Sequence, residues 1–265
     1  MSTPRLTIAI LNWNGAEYLE ECLKSIPPSI EAERILVDNA STDDSWKIAE
    51  KYGFRVVHAD NEHKFITGIN RAIKEAKGDY ILFSQADVVF APDCIEIMTN
   101  YIPGNQIIQP VFVKDGKIDN AGMRIVWPGY GIGELKLESH HTEVCTSITF
   151  LAPTKLFKIV GLYDENFAPA YIEDVDWAIR SKVFNVSHYV QSNAIVLHRH
   201  NASFSKEYTK LGISEICRKN RRYLIKKHYR GLDRLLRLAV SSCADVAKKT
   251  FDVITHRWIK SDNRH

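Results

Sequence analysis

The first hundred residues alternate short β-rich apolar runs with stretches in which apolar positions recur every three or four residues. Leu6–Leu11 (LTIAIL) predicts a buried strand, and Glu17–Ile26 predicts a helix terminated by Pro27 and Pro28. Arg34–Val37 (RILV) predicts a second strand, Asp43–Tyr52 a helix stopped by Gly53, and Phe54–His58 a third strand. Ile66–Lys77 predicts a helix ended by Gly78, followed by a strand over Tyr80–Phe83. This alternation implies an α/β fold, a mostly parallel central sheet flanked by helices on both faces. Ligands of such sheets bind beyond the carboxyl ends of the strands. That rule points to Asn12–Gly15, Asp38–Asp44, Ala59–His63 and Ser84–Asp87, all polar segments.

The pattern changes further along. Residues 103–150 scatter Gly and Pro among short apolar runs and predict an antiparallel or mixed region. GYGIG at Gly129–Gly133 lacks the strand–turn–helix context of a dinucleotide loop and reads as a flexible loop. From Gly212 onward the chain reads as helical. Leu232, Leu235, Leu236, Ala239, Val240, Cys243, Val246, Ala247, Ile254 and Trp258 recur at helical spacing. The expected organisation is a main domain over 1–204, with halves 1–102 and 103–204, and a basic amphipathic helical extension over 205–265.

Charge sharpens that division. The net charge is +3, yet residues 202–265 hold sixteen Lys and Arg against six Asp and Glu. The body before them is acidic, nineteen against twenty-six. The tail therefore favours an anionic partner. No nucleic-acid-binding module accompanies it, so a membrane surface is preferred over nucleic acid, and packing on the body or in a homodimer stays open. The five cysteines are scattered without a Cys-x-x-Cys pair, as expected of free thiols in a reducing compartment. The N-terminus lacks a signal peptide's apolar core, and no run approaches the ~18 apolar residues of a membrane span. A cytoplasmic protein, peripheral at the inner membrane face, is expected.

Four places carry candidate chemistry. Asp38 ends the second strand, where a carboxylate can accept from a pyrimidine N–H or a ribose hydroxyl; Asp38, Asn39 and Ser41 can equally form a turn. Gln85-Ala86-Asp87 ends the fourth strand, and a carboxylate there can hold a divalent cation on a diphosphate. Glu173, Asp174 and Asp176 crowd the start of an apparent helix, where one can accept a proton from an attacking hydroxyl. Acidic residues also simply suit a helix N-terminus. His198 and His200 follow a strand-like run and, two apart, face one side of it, as metal ligands do.

In their order, IAILNWNG, RILVDNASTDDS, the Gly68–Asn70 region of HKFITGINRAIKEAKGDYILF, SQAD, SITFLAPTKLFKIVGLYDENFAPAYIEDVDWAIR and VLHRHNAS resemble the motifs of family 2 glycosyltransferases. Within them, the set is similar to a bacterial rhamnosyltransferase-like branch of surface polysaccharide assembly. The resemblance covers roughly residues 5–204. It implies a GT-A fold, a nucleotide-sugar donor, a divalent metal (Mg or Mn), a saccharide or lipid-linked acceptor, and inversion at the anomeric carbon. Carried over by position, Asn12, Asp38 and Asn39 would contact the nucleoside, with Gly68, Asn70 and Gln85 near the nucleotide or sugar. Asp87 and His198 would hold the metal. Asp174 would be the base, supported by Glu173 and Asp176, with Trp177 packed behind. Two departures stand out: Gln85-Ala86-Asp87 replaces the family's Asp-x-Asp, and His63-Lys64-Phe65 replaces its small residues before Gly68. A catalytically silent nucleotide-binding scaffold is the alternative the first departure motivates, and the second bears on which sugar the donor carries. A nucleotidyltransferase ranks below both, because the N-terminus lacks a Gly-rich triphosphate loop.

Overall fold

The computed structural model describes residues 6–59, 65–101, 104–199 and 209–242. The chain opens with β1 (Leu6–Asn12), α1 (Ala16–Lys24), β2 (Glu33–Asp38), α2 (Ser45–Lys51), β3 (Arg55–His58), α3 (Phe65–Glu75) and β4 (Tyr80–Gln85). Each matches a sequence-predicted element to within a few residues. β5 (Val88–Phe90), α4 (Cys94–Asn100), β6 (Gln106–Lys114), β7 (Lys117–Asn120), β8 (Met123–Val126), β9 (Tyr130–Gly133) and β10 (His140–Thr142) follow. The chain continues through β11 (Thr149–Pro153), α5 (Lys155–Ile159), a 3₁₀ turn at Glu165–Phe167, α6 (Glu173–Lys182), β12 (Ser187–His198) and α7 (Lys210–His228). Residues 231–242 form a further helical stretch.

Among the described residues, one large sheet runs β10-β12-β6-β11-β4-β1-β2-β3. β1 pairs in parallel with β2 and β4, β2 with β3, and β6 with β12, while β11 runs antiparallel between β4 and β6. The two-residue period of β1 sends Ala9 and Leu11 to one face and Ile8 and Ile10 to the other. The first face is covered by α3, α5 and α6 through Ile69, Phe157 and Trp177, the second by α1 and α4 through Leu19, Leu23 and Met98. α3 can approach β1 because position 68 is glycine: a Cβ there would stand 2.5 Å from Leu11 Cδ1. Gly68 thus serves packing, and it is not among the residues that line the cavity described below.

One expectation needs correction. GYGIG is a strand: β9 pairs antiparallel with β8 as a separate two-stranded sheet. Its glycines serve close packing, since a Cβ on Gly131 would meet Val175 Cγ2 at 3.3 Å. The region after residue 204, where it is described, packs on the body, one of the alternatives the sequence leaves open. α7 buries Asn220, Arg221, Leu224 and Ile225 against it. Asn220 Nδ2 donates to the carbonyls of Phe167, Ala170 and Tyr171 at 2.6, 2.9 and 3.0 Å. The apolar positions from Cys243 to Trp258 lie outside the described residues, as do His63, Lys64 and His200.

Candidate active site

A cavity of about 540 Å³ opens at the carboxyl ends of β1 and β4. Leu11, Gln85, Ala86 and Asp87 form its floor, and Trp13, Gly15, Tyr18 and Asn39 one wall. Thr146 and Ser147, before β11, and the segment Ala170–Val175, entering α6, form the other. Tyr130 and Gly131 of β9 close over it with Cys217 and Arg221 of α7.

At one end the β5–β12 ladder sets His198 opposite Val88 and so beside Asp87, whose carbonyl accepts from Arg199 N at 3.0 Å. His198 Nε2 stands 3.7 Å from Asp87 Oδ2, too far for a hydrogen bond but close enough to share a cation. Asp87 Oδ1 is buried and has no hydrogen-bond partner. An ionised carboxylate oxygen in that state is costly unless something positive meets it. Among the described residues no three His, Cys, Asp or Glu side chains converge on one point. Asp87 and His198 thus fit a cation that draws its remaining ligands from a diphosphate and water.

At the other end lie Glu173 and Asp174. Glu173 is buried and accepts the Ser147 hydroxyl at 2.5 Å, while its second oxygen has no partner. Asp174 keeps part of its surface in the cavity, and its Oδ1 accepts from Val175 N at 2.8 Å. Burial pushes both carboxyls up, and the Asp174 charge raises Glu173 further. Asp174 is raised to about 6 and Glu173 to about 8, so the two carboxyls resist ionising together. The approach to this pair is strained: Tyr171 and Ile172 both sit at φ 75°, a region that β-branched residues avoid.

Asp176 needs correction. Two residues beyond Asp174 on an α-helix is a rotation of roughly 200°, and its side chain points away from the cavity into the protein. Its carboxylate accepts from Arg180 Nε at 2.9 Å, and from His228 Nε2 and Lys227 Nζ at 2.7 Å each. Burial alone would raise its pKa, but these donors win and hold it below the usual range. Asp176 therefore fastens α6 to α7.

Three nucleotide-site expectations also change. Asn70 lies off the cavity, with its amide bracketing Tyr163 through the backbone N–H and carbonyl and donating to Glu165 at 3.0 Å. Asn12 and Asp38 are buried beneath the wall. Asn12 Nδ2 donates to Ser45 and Ser41 at 2.8 and 3.2 Å, and to Asp38 Oδ1 at 3.4 Å. The other Asp38 oxygen pairs with His58 Nδ1 at 3.2 Å. Both residues shape the β2–α2 turn that presents Asn39, and Asn39 does line the cavity with Gln85. Thr146, Ser147, Tyr130 and Arg221 were missed. A hydroxyl before a strand and an arginine on a polar helix carry no signal in one sequence, and Tyr130 was dismissed with its loop.

Comparison with known proteins agrees with this architecture. A model of glycosyl transferase family 2 matches residues 7–160. A dolichol-phosphate mannosyltransferase of Pyrococcus furiosus is 30% identical over 135 residues, 48% of this chain and 37% of the relative. A poly(ribitol-phosphate) beta-glucosyltransferase of Bacillus spizizenii is 26% identical over 206 residues, 72% of this chain and 30% of the relative. These matches span well under half of either relative. In fold, the chain resembles Staphylococcus aureus TarS in complex with UDP-GlcNAc, at TM-score 0.61 and 17% identity, covering 89% of this chain and 71% of that one. It likewise resembles a Pyrobaculum calidifontis mannosyltransferase in complex with GDP-Man and Mn²⁺, at TM-score 0.62 and 12% identity, covering 91% and 70%. The relatives do not single out a rhamnosyltransferase branch. With a GT-A α/β fold and a family match over more than half its length, this chain belongs to glycosyl transferase family 2.

Proposed function

We propose that the protein is an inverting glycosyltransferase that moves a sugar from a nucleoside-diphosphate sugar to an acceptor hydroxyl. The observation that carries this reading is that one cavity holds the Asp87–His198 pair at one end and the Glu173–Asp174 pair at the other. The first suits a diphosphate with its cation, the second an incoming alcohol. Trp13, Tyr18 and Asn39 would flank the nucleoside, and Tyr130, Gly131 and Arg221 the acceptor.

In the transfer step the acceptor oxygen bonds to the anomeric carbon from the face opposite the leaving group. The bond from that carbon to the phosphate oxygen breaks, and its electron pair leaves with the nucleoside diphosphate. Asp174 accepts the hydroxyl proton. Glu173, kept neutral by burial and by the neighbouring charge, lets Asp174 ionise alone. Ser147 holds the Glu173 rotamer. A divalent cation held by Asp87 and His198 would neutralise charge on the departing diphosphate. An imidazole in the donor set favours Mn over Mg, which prefers oxygen ligands throughout. The named relatives motivate a surface polymer or lipid-linked saccharide as acceptor, met at the cytoplasmic face of the membrane.

The test pairs binding with turnover. Asp174→Asn is expected to fold, to keep Mn-dependent thermal stabilisation by UDP or GDP, and to lose sugar transfer; retention of most activity rejects Asp174 as the base. The reduced metal set favours a second reading, a catalytically silent scaffold. Failure of the wild-type chain to bind any nucleoside diphosphate in the presence of Mn or Mg, with no transfer, would defeat the enzyme reading.

A further inference from the structure

The helical stretch 231–242 is turned inside out. Its polar side packs on the body: Ser241 is fully buried and accepts from Arg221 Nε at 2.9 Å, and Ser242 accepts from Arg222 at 2.9 Å. Arg237 lies over the Tyr229 ring at 3.8 Å and over Trp127 at 6.0 Å. The apolar side faces outward. Leu232, Leu235 and Leu236 keep 70%, 59% and 51% of their surface exposed, and Val240, one turn on, is exposed too. Helices of self-sufficient globules bury such a stripe. Here the three leucines share one face at spacings of three and four, and Arg230 and Arg234 are exposed in the same segment.

We infer that this face docks on an anionic membrane surface. Three observations choose that occupant. The chain from residue 202 onward carries sixteen basic against six acidic residues, which complements anionic headgroups and opposes a second copy of itself. Each Lys or Arg near such a surface strengthens binding about fivefold. Next to the helix stands the exposed indole of Trp127, a side chain suited to the headgroup layer. Arg221 joins the two regions: it lines the cavity, stacks on Tyr130 at 4.2 Å and holds Ser241. Docking would therefore bring the cavity to the lipid surface. The inference stands whether or not the cavity transfers a sugar.

The experiment is flotation of the full chain with vesicles of phosphatidylcholine alone and of phosphatidylcholine mixed with phosphatidylglycerol. The wild-type chain is expected to float with the mixed vesicles and to be released by high salt. The double variant Leu235→Glu, Leu236→Glu should bind about a hundredfold more weakly, at about tenfold per leucine, with an unchanged melting temperature. Arg230→Glu with Arg234→Glu should weaken binding to the mixed vesicles more than tenfold and leave phosphatidylcholine vesicles unaffected. Equal flotation of the wild-type and leucine variants would overturn the proposal, as would no wild-type flotation on either vesicle. So would a wild-type dimer, seen by sedimentation velocity, that the leucine variant dissolves without loss of flotation; the face would then belong to a second copy.

Discussion

Replacing Asn220 with alanine tests whether α7 holds the approach to the Glu173–Asp174 pair. The Asn220 amide offers two hydrogens to three carbonyls, those of Phe167, Ala170 and Tyr171, between 2.6 and 3.0 Å away. Alanine removes both donors from a fully buried position. A buried polar group left unsatisfied costs roughly 1–3 kcal/mol, and relaxation of the segment toward water recovers part of that. The segment has reason to relax, since Tyr171 and Ile172 are held at φ 75°, a strain of about 1–3 kcal/mol each that the surroundings must impose. The expected loss is therefore about 2–4 kcal/mol of stability, read as a lower urea midpoint at unchanged slope. Because Glu173 follows Ile172 directly, kcat should fall while nucleoside-diphosphate affinity, set at the Asp87 end, stays within about twofold. Lys219→Ala, exposed on the same helix, is the control and should move stability by no more than ~0.5 kcal/mol. A loss below ~1 kcal/mol with unaltered kcat would refute the reasoning.

Two further predictions concern the cavity walls. Burial raises Asp174 from 3.8 to about 6, so kcat/KM should climb as pH rises through about 6. The same shift means the fold favours the protonated acid. Its contribution to stability is full below 3.8 and is lost as pH rises through about 6, so activity and this contribution run in opposite directions. A rate profile with its acidic midpoint near 4 would contradict the assignment. Gly15→Ala would place a Cβ 2.3 Å from Asn12 Oδ1. Expelling that amide from Ser41 and Ser45 should cost about 1–3 kcal/mol in urea unfolding and weaken nucleotide binding. Wild-type stability would show that the turn yields freely.

The parallel half of the sheet was legible because its strands are short apolar runs between helical repeats, and the sheet-end rule then led directly to Asp87. The other half was not. β6 and β12 pair in parallel across a long stretch of intervening chain, and no local period encodes that. β9 escaped because Gly-Tyr-Gly-Ile-Gly has the composition of a turn, and only the Val175 and Met123 side chains behind Gly131 reveal that a larger residue there would be tight. In the acidic cluster, composition pointed to one helix but could not tell its carboxylates apart. Asp174 and Asp176 look alike until the far side of α6 acquires Arg180, Lys227 and His228. Asn220 sits in a polar helix that reads as solvent-facing, yet it clamps three carbonyls.

The pairing of Asp176 with Lys227 and His228 also dictates when the α6 side of the cavity can assemble. During synthesis, α6 emerges well before the residues that neutralise its inner carboxylate, with only Arg180 at hand. Seating that helix earlier would bury a charge short of two of its partners, a costly arrangement in a dry interior. The nascent protein is thus expected to complete its first strands and helices on the ribosome and to leave α6 unseated until α7 has cleared the exit tunnel.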